Sequence, residues 1–215
     1  MNFNTARNNM LFNQIRTWDF ISPNTLNIMQ KIQREEFVPV NQRKLAFSDI
    51  ELPIGHGEFM MKPIVEGRIL QALNLSGKER VLEIGTGSAY LTALLALSAE
   101  QVTSIEIHDD FIKSAQEKLK DSKITNVKLL NQDFYNFNDS YKFDYIVLTG
   151  SVEEVPEFLY SNIKKDGKIF AIVGKEPVMT AALYSKDGDK LKVESLFETI
   201  VKPLITPKKE SNFEL

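Results

Sequence analysis

The run Val81-Leu82-Glu83-Ile84-Gly85-Thr86-Gly87-Ser88-Ala89-Tyr90 is the stretch of this chain best suited to hold a ligand. An apolar strand leads into a glycine-rich turn and then a helix. Glycine at 85 and 87 lets the backbone turn sharply and approach a bound group, while the helix start presents unpaired N–H groups to it. The spacing is Gly-x-Gly-x-Ala. A Gly-x-Gly-x-x-Gly fingerprint would want glycine at Tyr90, so a pyrophosphate-bearing dinucleotide fits less well. Downstream, Ser104-Ile105-Glu106 ends a second strand near the roughly 20-residue separation at which an acid accepts hydrogen bonds from ribose hydroxyls. Asn131-Gln132-Asp133-Phe134 ends a third, where a carboxylate can accept from the exocyclic amine of adenine and a ring can pack on its face. Each has a plainer reading: Glu106 as a solvated strand end, Asp133 as the cap of the next turn. Set in order along one alternating pattern, they point to a nucleoside-bearing cofactor.

Strands and helices alternate around these residues. The pattern predicts strands at Arg80–Ile84, Val102–Glu106, Val127–Leu130, Tyr145–Thr149 and Lys168–Val173, with helices over Ile64–Leu73, Tyr90–Ser98, Asp110–Leu119 and Val155–Ile163. Such alternation gives an α/β, Rossmann-like fold: a mostly parallel twisted sheet with helices on both faces. Met179–Ser185 and Leu191–Val201, around Lys186-Asp187-Gly188-Asp189, read as a C-terminal antiparallel hairpin. Between Asn4 and Gln33, apolar residues at helical spacing broken by Ser22-Pro23 predict two short helices. Phe37 to Gly57 reads as irregular structure or short strands covering something larger. The expected division is an N-terminal helical extension and covering segment over 1–63, then the cofactor-binding domain over 64–215. A patch of Met10, Leu11, Ile15 and Trp18 could form a lid, meet a partner or pack on the sheet. The charged segment 207–215 is expected to be loose.

With 215 residues and 43% hydrophobic content, the chain can bury one substantial core. Its 26 basic and 29 acidic side chains give a net charge of −3, too near neutral for electrostatic capture of nucleic acid. Cysteine is absent and His56 and His108 are the only histidines, so no thiolate or multi-histidine metal site is expected. No apolar run approaches the ~20 residues that cross a bilayer, and the polar N-terminus predicts a cytoplasmic protein without membrane partners.

Glu83-Ile84-Gly85-Thr86-Gly87-Ser88-Ala89, with Glu106 and Asp133 at the next two strand ends, resembles the motif set of class I methyltransferases. Phe143-Asp144-Tyr145-Ile146-Val147 and Lys165-Asp166-Gly167-Lys168-Ile169 resemble its later strand motifs. The resemblance implies S-adenosyl-L-methionine as cofactor, held by Glu83, Gly85, Thr86, Gly87 and Ser88, by Glu106 and Ile107, by Asp133 and Phe134, and by Thr149. A narrower resemblance lies in Leu52-Pro53-Ile54-Gly55-His56-Gly57 followed by Pro63, with Val155-Pro156, Ile172-Val173-Gly174 and Pro203-Leu204-Ile205, and extends over nearly the whole chain. These segments are similar to protein-L-isoaspartate O-methyltransferases. They imply an enzyme that methylates the free α-carboxylate of isoaspartyl residues in damaged proteins.

The departures bear on the acceptor. Where that family usually reads Gln-Thr-Ile-Ser-Gln-Pro, this chain reads Glu58-Phe59-Met60-Met61-Lys62-Pro63, so Met61 stands at the serine position. A thioether cannot donate a hydrogen bond. Lys62 offers a compensating cation or is simply solvated; His56 offers a donor or base, or shapes its loop; Phe59-Met60-Met61 forms an apolar floor or core packing. Ala89 replaces the usual third glycine of the first motif. The acceptor implied is an isoaspartyl protein or peptide. The alternatives are a small molecule or another protein carboxylate under the same chemistry, or a protein that binds the cofactor without turning it over. The oligomeric state is not legible.

Overall fold

The computed structural model describes residues 2–17, 21–188 and 190–205; Trp18 and the segment 207–215 lie outside them. Arg80–Ile84 (β3), Gln101–Glu106 (β4), Val127–Asn131 (β5), Phe143–Val152 (β6) and Ile163–Lys175 (β7) pair in parallel, and Val178–Asp187 (β8) and Lys190–Glu198 (β9) add antiparallel to the β7 edge. The seven strands run β5-β4-β3-β6-β7-β8-β9. The chain thus builds outward from β3 to β5, crosses back, and resumes on the other side of β3 with β6. That reversal opens a crevice at the carboxyl ends of β3, β4 and β6, where open α/β sheets bind ligands.

Alternation along the strands sends side chains into two layers. Val81 and Val102 point into a core shared with Phe3–Asn9 (α1), Pro23–Lys31 (α2), Pro63–Leu73 (α3) and Tyr90–Ala96 (α4), joined by Ala115 and Leu119 of Asp109–Asp121 (α5). Leu82, Ile84, Ile105, Ile146 and Leu148 point the other way, beneath Phe134, Phe137 and Leu159. Helix α3 starts with Pro63 at its first turn and stops at Asn74 in the left-handed region, both common terminating devices.

The N-terminal helix continues as a π-turn over Met10–Gln14 and a 3-10 turn over Ile15–Thr17. Met10, Leu11 and Ile15 are buried against Met29 and α3, so the described part of the predicted patch packs into the core. The covering segment forms a small hairpin, Leu52–Gly55 (β1) with Glu58–Met60 (β2), turning at Gly55-His56-Gly57.

Two predicted elements are corrected. The helix expected over Val155–Ile163 is one turn, Glu157–Tyr160 (α6), because Phe143 donates its N–H to Asn162 and Ile163 already pairs as the start of β7. The last strand ends at Glu198, not Val201. Thr199 still donates to Met179, but Lys202 and Leu204 then bond to Ser151 at the tip of β6. Residues 201–204 form a strap across the crevice, with Pro203 bridging alongside Ser151.

Candidate active site

The carboxyl ends of β3, β4 and β6, the β1–β2 hairpin and the strap line a cleft, a concave, largely apolar setting of the kind that small molecules occupy. Its geometry starts from Gly85, whose φ of +96° few side chains tolerate. The Gly85 N–H donates to Ile105 at 2.8 Å, and the Thr149 hydroxyl donates to the carbonyls of Ile84 and Gly85, both at 2.9 Å. A Cβ at Gly85 would lie 2.3 Å from the Thr149 Oγ1. Ala89 sits at the start of α4 with φ of +66°, a conformation glycine adopts with less strain.

Glu106, at the tip of β4, accepts the Gly87 N–H on Oε2 at 2.9 Å and those of Ile107 and His108 on Oε1 at 2.9 and 3.0 Å. A carboxylate has about four acceptor positions, so one remains for a hydroxyl in the cleft. Asp133 caps the turn Phe134–Asn136 by accepting from the Tyr135 N–H at 2.9 Å through Oδ1. The plain capping reading therefore holds for that oxygen, and Asp133 also lines the cleft with Phe134, Gln132 and Ile107.

A smaller recess opens behind the glycine turn, lined by Glu83, Thr86, Ser88, Met60, Met61 and Glu66. Glu83 is fully buried, and its Oε2 accepts from Thr92 at 2.5 Å and Ser104 at 2.6 Å. Burial pushes its carboxyl up to about 7 against the pull of those two hydroxyls. Its Oε1 has no partner among the described residues. A buried, unpartnered carboxylate oxygen suits a cationic group such as an ammonium. Together, the open acceptor position on Glu106 at one end and Glu83 at the other fit a nucleoside joined to a charged amino-acid tail.

The candidates on the acceptor side separate. Met61 is nearly buried and lines both the cleft and the recess, while its carbonyl accepts from Arg34 at 2.7 Å. Lys62 instead borders a separate hollow with Asp49 and Arg68. His56 lies outside the cleft wall: its ring stacks on His108 at 4.1 Å and Nε2 faces the Asp110 carboxylate at 2.9 and 3.0 Å. His108, not His56, reaches the cleft. Sequence reasoning missed His108, Phe111, Gly150 and Lys202. A Cβ on Gly150 would meet Leu204 and the Lys202 carbonyl at 2.9 Å, so the strap lies directly on β6. The match at Pro203-Leu204-Ile205 is the one signal that marked this segment, and it did not reveal the fold-back.

A crossed-over parallel sheet, a glycine turn at its switch point and acids at successive strand ends define a class I methyltransferase fold. The chain belongs to the protein-L-isoaspartate(D-aspartate) O-methyltransferase family, whose model matches residues 6–209. It is similar to the protein-L-isoaspartate O-methyltransferase of Opitutus terrae, 37% identical over 169 residues that cover 78% of this chain and 72% of that one. A second relative, protein-L-isoaspartate O-methyltransferase 2 of Shewanella sediminis, is 32% identical over 201 residues, covering 93% and 82%. Among solved structures, a Plasmodium falciparum protein assigned to this family, in complex with S-adenosyl-L-homocysteine, superposes with a TM-score of 0.81 at 21% identity, covering 95% of this chain and 99% of that one. That likeness concerns the fold.

Proposed function

We propose that this protein transfers a methyl group from S-adenosyl-L-methionine to the α-carboxylate of isoaspartyl residues in proteins or peptides. The observation that carries this reading is the family match from residue 6 to 209, which spans the glycine turn, the β1–β2 hairpin and the strap in one stretch. The structure of a relative with S-adenosyl-L-homocysteine supports the cofactor.

When bound, the sulfonium supplies an activated methyl carbon; the protein supplies alignment and exclusion of water. Glu106 takes the ribose hydroxyls while its grip on Gly87 fixes the turn. Asp133, Phe134 and Ile107 receive the adenine, and Glu83 with Thr86 and Ser88 receives the amino-acid tail. Thr149 holds Gly85 so that its backbone lies close to the ligand. A carboxylate acceptor, with a reference pKa of about 3 to 4, is ionised at neutral pH, so no general base is needed. Met61, Phe59 and Leu204 form the apolar wall beside which the acceptor reacts. Residues 1–63 thus carry the acceptor hairpin and residues 64–215 the cofactor site. A cytoplasmic location is part of this proposal; no described helix is long and apolar enough to cross a membrane.

The test is radiolabelled methyl transfer to matched isoaspartyl and aspartyl peptides. Transfer to the isoaspartyl form alone is expected; equal labelling, or none, refutes the reading. One observation favours a second acceptor: the family serine is Met61, which presents no donor. A same-ancestry enzyme acting on a small molecule or another protein carboxylate would bind the cofactor and stay silent with both peptides.

A further inference from the structure

We infer that Lys202 is the group that receives the acceptor's carboxylate, and that Glu58 occupies it until an acceptor arrives. This rests on the carboxylate acceptor proposed above and names the residue that replaces the missing serine.

Among the described residues that line the cleft, Lys202 is the only lysine or arginine. Three donors beside it are committed: the Thr149 hydroxyl to Ile84 and Gly85, and the N–H groups of Gly85 and Gly87 to Ile105 and Glu106. Met61 has none to give. The acceptor wall also carries two carboxylates, Glu51 and Glu58, which would repel an anionic substrate unless a cation offset them.

Lys202 is held in place at its backbone. Its carbonyl accepts from the Ser151 N–H at 3.0 Å, the Ser151 hydroxyl donates to Val201 at 3.1 Å, and Leu204 donates to Ser151 at 2.9 Å. The strap thereby fixes the stem of Lys202 beside Gly150 and Thr149, one strand from the glycine turn. Its ammonium donates to the Gly57 carbonyl at 2.8 Å and to the Glu58 carboxylate. Two of three donors are used, and both partners belong to the β1–β2 hairpin, Gly57 in its turn and Glu58 as the first residue of β2. A carboxylate on a half-exposed lysine at the mouth of a cleft is the arrangement an incoming carboxylate can displace, because one charge-assisted bond is exchanged for another. The glutamate is an internal stand-in for substrate.

The competing role is a clip that ties the hairpin to the strap, and opposite variants separate the two. Lys202→Gln removes both clip and cation; Glu58→Gln weakens the clip but frees the cation. Receipt of a carboxylate predicts that Lys202→Gln raises KM for an isoaspartyl peptide about tenfold or more, that Lys202→Arg stays within about threefold of wild type, and that Glu58→Gln lowers KM. A clip predicts that both Gln variants move KM the same way. S-adenosyl-L-homocysteine affinity, measured by calorimetry, is expected to hold steady in all three. A KM in Lys202→Gln within twofold of wild type, or a shared direction in the two Gln variants, overturns the inference. If the wild type methylates no isoaspartyl peptide, the proposed acceptor fails, and Lys202 is judged by titrating that peptide into the protein loaded with S-adenosyl-L-homocysteine. Binding weakened about tenfold by Lys202→Gln supports it; equal binding, or none, overturns it.

Discussion

Glu106 accepts the backbone N–H of Gly87 at 2.9 Å, so the acid at the tip of β4 and the turn after β3 form one unit rather than two neighbouring contacts. Glu106→Ala removes a partner from three backbone amides, those of Gly87, Ile107 and His108. We expect S-adenosyl-L-homocysteine affinity to fall about a hundredfold by calorimetry, with about 1–3 kcal/mol lost in denaturant unfolding. Glu106→Gln keeps one acceptor oxygen and should fall between. Unchanged affinity in Glu106→Ala would remove the ribose assignment.

Gly85→Ala places a methyl 2.3 Å from the Thr149 hydroxyl, at a backbone φ of +96°. The expected outcome is loss of detectable cofactor binding and at least about 2 kcal/mol of stability. Trimming the obstacle in Gly85→Ala/Thr149→Ala should recover part of that loss, so the two substitutions will be non-additive in a double-mutant cycle.

Arg34 is fully buried and donates to Ala46 at 2.9 Å, to Met61 at 2.7 Å and to the Glu66 carboxylate, with its guanidinium 5.0 Å from the Tyr90 ring centre. Burial pushes Glu66 up to about 8 against the pull of Arg34. Arg34→Met strands that carboxyl and is expected to cost about 3–5 kcal/mol in chemical denaturation. Arg34→Met/Glu66→Leu should regain much of it. Because Arg34 also holds the Met61 carbonyl, the single variant should raise acceptor KM as well.

Met61→Ser restores a donor at the wall the acceptor faces. In a methyl-transfer assay its KM for an isoaspartyl peptide is expected to fall about tenfold, while the smaller side chain costs roughly 1–3 kcal/mol of stability. No change in KM would place the acceptor elsewhere in the cleft.

Glu83 gives a pH signature. Its carboxyl is raised to about 7 in the folded protein, against about 4.3 in an unfolded chain. The unfolded chain releases this proton first as pH rises, so the contribution is fully present below about pH 4 and is lost on the way to about pH 7, an effect on the order of 3 kcal/mol. Glu83→Gln should flatten thermal stability across that window relative to wild type. A parallel pair of curves would show that Glu83 is ionised throughout.

Sequence patterning was strongest where apolar runs meet turn residues: Arg80–Ile84, Gln101–Glu106 and the glycine turn between them lie where periodicity put them. The acids at 106 and 133 reach the cleft because strand ends in a parallel sheet converge, which spacing alone conveys. What was not legible depends on partners distant along the chain. Glu66 reads as an ordinary helical acid until Arg34 is brought beneath it, and His56 reads equally as a donor, a base or a loop-shaping residue until it stacks on His108. Lys202 looks like a surface lysine, and it is the bonds of Ser151 to Val201, Lys202 and Leu204, some fifty positions apart, that bring it over the crevice. The shortened α6 shows local propensity yielding to a strand pairing that begins at Ile163.

The strap also sets an order of assembly. A ribosome delivers Val201 to Leu204 after all seven strands of the sheet, so the wall beside Gly85 and Thr149 is added only once the strands it closes against have been made. A nascent chain arrested before residue 200 would lack both that wall and its lysine. Closure of the cleft thereby follows formation of the sheet in the order of translation.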